Sequence, residues 1–217
     1  MKILFKFIAT VLLLAASFSA LAYYFWYKPK FSKQATISSF KHFNETGSNK
    51  ILLRLKQKAD DLAIYAKAHG YNTEYCFMAD MKIESGKSRF FVYNIKKDSI
   101  EMAGLVAHGS GRTYSEEVQF SNAANSLCTS LGKYKIGGSY MGKFGLAFKL
   151  YGLDATNDNA FSRAVVLHAH SCVPNEEIAP IPICQSWGCP TVAPAFLMVL
   201  KTYIDNSEKP VLLYVYF

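Results

Sequence analysis

The chain has 217 residues, five cysteines and a formal net charge of +8. That charge suits an anionic envelope surface, yet no lysine or arginine run interleaves with aromatics, so no nucleic-acid partner is expected. An odd cysteine count excludes a purely disulfide role, because at least one thiol is left free or pairs with another molecule.

The opening MKILFKFIATVLLLAASFSALAYYFWYKPK carries Lys2 and Lys6, then an uncharged run from Phe7 to Tyr27, then Lys28 and Lys30. Such a run is long enough to cross a bilayer, which takes about 20 apolar residues. Residues 1–30 therefore read as a signal anchor or a signal peptide. Ala20 and Ala22 form a small-residue pattern that a signal peptidase accepts. Tyr23, Tyr24, Phe25, Trp26 and Tyr27 make an interfacial belt, which favours a retained anchor touching the membrane through residues 7–27. The two leading lysines favour a cytoplasmic N-terminus. The expected place is the cell envelope, on the periplasmic or extracytoplasmic side of the inner membrane.

What remains, about 185 residues, is the size of one domain. Residues 31–48 are polar and read as a spacer or short helix. In ILLRLKQKADDLAIYAKAHG, Ile51, Leu52, Leu55, Ala59, Leu62, Ala63 and Ala66 recur at helical spacing and Gly70 offers a C-terminal cap. Residues 31–75 are thus a spacer and an amphipathic helix packing on a domain of residues 76–217. From about Met78 the period changes to two: SRFFVYNI, the turn KKDS and IEMAGLVAHG predict a β-hairpin. Further strands are predicted at GLAFKLYGL, RAVVLHAH and PVLLYVYF. One helix is predicted in PAFLMVLKTYIDN, where Pro194 suits a first turn. Strands dominate and helices sit at the edges, a mainly β (α+β) class.

RAVVLHAH ends in two histidines that strand alternation points to one face. SWGCP follows, with Cys189 between Gly188 and Pro190. A histidine delivered beside a cysteine-bearing turn is the arrangement of a Cys/His nucleophile pair, since a nearby imidazolium lowers the thiol pKa and populates the thiolate. Gly188 allows close approach, and the Gly188 and Cys189 amides are available to a developing oxyanion, whereas Pro190 has no N–H. Two other readings stay open. His168, His170, Cys172, Cys184 and Cys189 are five possible zinc ligands, although the paired spacings of structural zinc are missing. A histidine on an apolar strand is also often a hydrogen-bonded core residue.

From about Phe77 onward, SGKSRFFVYNI, GLVAHGSG, FSNAANSLCTSLGKYKIGG, YMGKFGLAFKLYGLDATNDNAFSRAVVLHAH and SWGCP occur in the order of the L,D-transpeptidase (YkuD-like) catalytic domains. The chain resembles that family, in the branch with a tryptophan before the motif glycine. The resemblance implies a β-sandwich or barrel with a few peripheral helices and a groove for peptidoglycan stem peptides. It implies Cys189 as nucleophile, His168 as base and then acid, Ser186 as an orienting hydrogen bonder and Gly188 as the shaper of the oxyanion pocket. Tyr140, His170, Trp187 and Gln185 are the implied substrate-binding residues. No cofactor and no metal are implied.

An acyl-enzyme resolved by an amine gives a crosslinking transpeptidase. Resolved by water it gives an L,D-carboxypeptidase, and a groove without chemistry would be a wall-binding module. Gln185 stands where many members have arginine and Ala169 where many have glycine. Losing that arginine removes a cation able to grip a stem carboxylate. Ser186 also fits a turn-capping serine, and His170 a polar rim. Cys172 and Cys184 bracket a proline-rich segment that a disulfide between them would pin. Cys76 and Cys128 either pair or are buried.

Overall fold

The structure, a computed structural model, describes residues 2–30, 49–112 and 118–217. The segment 31–48, expected as a spacer or short helix, lies outside the described residues. Helix α1 (Lys2–Ala22) runs on through a π-helical turn, Tyr23–Tyr27, and a last turn, Lys28–Lys30. Among the described residues one stretch, Leu4–Tyr27, is long and apolar enough to cross a membrane. Tyr23 and Tyr27 stack within its aromatic end, centroids 5.8 Å apart.

Helix α2 (Asn49–His69) follows the predicted pattern. Leu55, Ala59, Leu62 and Ala66 are buried at its i, i+4, i+7, i+11 positions. Each buried leucine contributes about 1.5–3 kcal/mol. Gly70 takes the left-handed conformation, φ +75°, and the Tyr71 amide then reaches the Ala66 carbonyl at 2.9 Å, the bond that closes a helix on a C-terminal glycine.

Nine strands form one sheet: β1 (Tyr75–Asp80), β2 (Phe90–Asn94), β3 (Ser99–Gly104), β4 (Val106–Ala107), β5 (Gly132–Gly142), β6 (Gly145–Gly152), β7 (Val166–Ala169), β8 (Thr191–Val192) and β9 (Leu212–Tyr216). Their order is β3-β2-β1-β9-β5-β6-β7-β8-β4. Since β3 continues into β4 across Leu105, the two ends of this order are one stretch of chain, and the sheet curls into a nearly closed barrel. Here the structure corrects the sequence reading: IEMAGLVAHG is not one hairpin arm. It pairs with β2 as far as Gly104, then turns away to pair Val106 and Ala107 with Val192 and Thr191.

Alternation sorts the core. Phe77, Ala79, Phe90, Val92, Leu213 and Val215 fill the barrel. Cys76, Met78, Phe91, Tyr93 and Leu212 face the other way, under α2. Strand β1 is therefore apolar on both faces, and its missing alternation hid it in the sequence. Strand β5 was not predicted: Gly137 and Gly138 interrupt its pattern, and there the ladder with β6 shifts register. The last helix, α3 (Pro194–Asp205), starts at its proline as predicted and buries Phe196, Leu197, Val199 and Leu200 on the barrel.

Candidate active site

Strands β7 and β8 run parallel, with His168 opposite Thr191 and Ala169 opposite Val192. That pairing sets the turn Ser186–Pro190 directly ahead of Thr191, beside the end of β7. A groove of about 920 Å³ opens there, and Tyr140, His168, His170, Gln185, Ser186, Trp187 and Cys189 all line it. Gly188 lies in the turn beneath, at φ +112°, and a Cβ on it would stand 2.9 Å from the Cys128 carbonyl oxygen. Only glycine combines that backbone conformation with that approach.

Ser186 holds the turn. Its hydroxyl donates to the Cys189 carbonyl at 2.6 Å and accepts the Gly188 amide at 3.2 Å. Its backbone is clamped on both sides, Ser186 N to His108 O and Ser110 N to Ser186 O, each at 2.8 Å. The two amides expected to be open to an oxyanion thus differ, because that of Gly188 is taken by Ser186.

The imidazole of His168 is buried on β7. Its Nδ1 lies 3.1 Å from the Ala169 carbonyl oxygen. A carbonyl only accepts, so Nδ1 carries the proton and Nε2 of the neutral ring is the acceptor. Nε2 lies 3.0 Å from Thr191 Oγ1. Burial lowers the His168 pKa, the Ala169 carbonyl works against this, and His170 adds to the lowering. The Cys189 thiol is half-buried, with the Ala164 carbonyl as its acceptor at 3.9 Å. Burial raises its pKa, while the Val166 amide and the Arg163 guanidinium pull it back. Both shifts favour a neutral thiol and a neutral imidazole. A thiolate populated by a neighbouring imidazolium, expected from the Cys/His pattern, is not what this site favours, because burial penalises both charged forms.

Three residues that sequence reasoning missed belong to this place. Phe144, in the β5–β6 turn, stacks on His168 with centroids 5.3 Å apart and planes 20° apart, and meets His170 edge-on at 5.7 Å. Arg163 lines the groove and fastens residues 121–130, donating to Ser121 O at 2.9 Å, Cys128 O at 2.7 Å, Ser126 Oγ at 3.2 Å and Ser130 Oγ. It is a cation close to the thiol even though Gln185 is not one. Thr191 follows Cys189 by two residues, and strand alternation could have found it. His170 accepts the Cys172 amide at 3.1 Å, and Trp187 stands exposed at the rim.

Cys172 and Cys184 are joined by a disulfide and both line the groove. The bond removes two of the five candidate zinc ligands. Cys76 and Cys128 are buried and free, and burial pushes the Cys76 thiol up to about 12.

Residues 49–216 match the L,D-transpeptidase catalytic domain. The chain belongs to that family. No curated protein matches the chain by sequence. Among solved structures it is similar to the Ldtfm-avibactam carbamoyl enzyme, at 12% identity and TM-score 0.40, over 66% of this chain and 49% of that one. It is also similar to the helical cell shape determining protein Pgp2 from Campylobacter jejuni, at 12% identity and TM-score 0.43, over 65% and 46%. The chain spans about half the length of those two. An L,D-transpeptidase from Xylanimonas cellulosilytica is similar at 14% identity and TM-score 0.37, over 82% of this chain and 97% of that one.

Proposed function

We propose that the protein is a cysteine-dependent peptidoglycan L,D-transpeptidase, held at the membrane by its first helix and working on stem peptides on the outer side. The observation that carries this reading is the convergence of the Cys189 thiol and the His168 imidazole on one groove, from adjoining ends of β7 and β8.

The chemistry follows from the neutral pair. A stem tetrapeptide lies in the groove with the carbonyl of its third residue at Sγ. As sulfur adds to that carbon, Nε2 of His168 takes the thiol proton, so the nucleophile is charged only while it reacts. Nδ1–H stays on the Ala169 carbonyl, which keeps the ring oriented and supports its positive charge. The oxyanion turns toward the Cys189 amide. When the tetrahedral centre collapses, His168 returns its proton to the leaving amine of the fourth residue and a thioester remains. An acceptor amine from a second stem then loses a proton to His168 and attacks the thioester, forming the crosslink and restoring the thiol.

Ser186 acts by fixing the turn, Trp187, Tyr140 and Phe144 by walling the groove, and Gln185 and His170 at its polar edge. The departures at positions 185 and 169 leave this chemistry intact, since neither side chain carries a proton in it.

The test is intact-mass spectrometry of the full-length protein in detergent after incubation with a disaccharide tetrapeptide, beside Cys189→Ala. An acyl adduct absent from the variant is expected, together with crosslinked dimer. Released tripeptide in place of dimer would make the enzyme an L,D-carboxypeptidase. Binding with neither adduct nor product would make the domain a wall-binding module.

A further inference from the structure

We infer that Thr191 is a positioning residue for the His168–Cys189 pair, its hydroxyl turning from the imidazole to the Cys189 carbonyl as the thiol proton moves. The inference deepens the acyl-transfer reading and rests on it.

Thr191 Oγ1 stands 3.0 Å from His168 Nε2 and 3.2 Å from the Cys189 carbonyl oxygen. A hydroxyl has one proton, so it serves one of these acceptors at a time. With the ring neutral, Nδ1–H is on the Ala169 carbonyl and the Nε2 lone pair takes the Thr191 proton. The Cys189 carbonyl is then left with the Ser186 hydroxyl at 2.6 Å. The Nε2 lone pair is open to the thiol proton once the Thr191 hydroxyl turns to the Cys189 carbonyl; with the proton on it, Nε2 becomes a donor. Thr191 Oγ1 then accepts from Nε2–H, while its own proton stays directed at the Cys189 carbonyl. The threonine keeps its proton throughout, because only the Cβ–Oγ1 bond rotates while the sulfur proton passes to nitrogen.

The count of hydrogen bonds differs between the two states. Thr191 makes one with the neutral ring and two with the imidazolium. A bond to a charged partner is also the stronger kind. The hydroxyl therefore favours proton transfer, against a burial that opposes it. Thr191 is buried, and its place across from His168 is fixed by the β7–β8 ladder. Around the pair, the other ionisable or charged groups among the described residues are His170 just past the end of β7, Arg163 beside the thiol, and Tyr140 and Lys143 at the groove wall; Phe144 stacks on the imidazole face.

The measurement is the rate of Cys189 alkylation by iodoacetamide from pH 5 to 10, in full-length protein in detergent, with the modified cysteine mapped by peptide mass. Thr191→Val removes the hydroxyl at nearly constant shape, Thr191→Ala does so with a smaller side chain, and Thr191→Ser keeps it. Expected are a loss of about tenfold at pH 7 in the Val and Ala variants, a rate midpoint moved to higher pH, convergence with wild type at the alkaline end, and rescue to within about twofold by Ser. A loss of the same factor at every pH would assign Thr191 a merely structural role and overturn the proposal, as would unchanged rates. Iodoacetamide needs no stem peptide, so these outcomes stand apart from whether tetrapeptide yields a product.

Discussion

The Phe144 ring lies almost flat on the His168 imidazole, 20° from parallel with centroids 5.3 Å apart. This places an apolar ring, carried by the β5–β6 turn, over the group that accepts the thiol proton in the proposed chemistry. The sign of the pH dependence follows. Burial holds the His168 pKa below its ordinary 6.5, and only the neutral ring is a base. Activity is therefore expected to rise with pH through a value below 6.5. Phe144→Ala uncovers the ring, returns its pKa toward 6.5 and moves the acid limb of kcat/KM to higher pH, with a loss of up to about tenfold at pH 5.5. An acid limb that stays in place in the variant would show that the stacked ring does not tune the base.

Arg163 can be divided into its charge and its fork. Arg163→Lys keeps the charge but loses most of the bonds to Ser121, Ser126, Cys128 and Ser130. Arg163→Gln loses both. Each lost bond to a charged donor is worth about 1.5–3 kcal/mol, so both variants are expected to unfold at lower urea concentration. Only Arg163→Gln is expected to move the Cys189 alkylation midpoint to higher pH, because the guanidinium charge is one of the influences pulling that thiol down. Equal midpoints in the two variants would remove the charge from the account.

The Cys172–Cys184 bond closes a 12-residue separation, and a loop of this size is worth about 3 kcal/mol in the chain-entropy description. The double variant Cys172→Ser, Cys184→Ser is expected to lose about that much in denaturant unfolding. It is also expected to raise KM more than it lowers kcat, since both sulfurs line the groove and neither touches the reacting atoms in the proposed chemistry. Alkylation of both thiols in wild-type protein without reductant would contradict the pairing.

His108 is expected to make the fold sensitive to acid. Arg89 Nη2 donates to its Nδ1 at 2.8 Å, and its Nε2 is buried without a partner among the described residues. Burial, and then the Arg89 charge, push its pKa down to about 4. The unfolded chain takes up this proton near pH 6.5 and the native state does not until about pH 4, so stability is lost as pH falls across that window. The loss is about 3 kcal/mol at 1.36 kcal/mol per pH unit. Urea unfolding at pH 7 and pH 4 checks this against His108→Gln, in which that difference should vanish. An equal loss in both proteins would place the acid sensitivity elsewhere.

Much of the fold could be read from the chain, and the parts that could not have physical reasons. Helix α2 was legible because only one of its faces is buried, and α3 because Pro194 marks its start. Strands β2, β6, β7 and β9 were legible from β-branched and aromatic runs between turns. Strand β1 was hidden by burial on both faces, β5 by its glycines, and β8 by being two residues long. At the site, motif spacing led to the residues that line the groove from β7 and the Ser186–Pro190 turn. It could not lead to Arg163 or Phe144, whose nearness to the pair depends on the register in which β6 and β7 pair. Nor could spacing give the degree of burial, which is why the expected thiolate gave way to a neutral thiol.

Closure of the barrel joins distant parts of the chain: Val106 and Ala107 pair as a strand with Val192 and Thr191, and Gly109 bridges Ser186. Contacts so far apart in sequence form late in folding, after nearer pairings have shortened the loop between them. The turn that carries Cys189 is thus shaped by the same event that completes the sheet. A chain still threading out of the ribosome or across a membrane has the thiol but not its neighbours, so in the proposed chemistry its reactivity toward acyl groups is timed by folding itself.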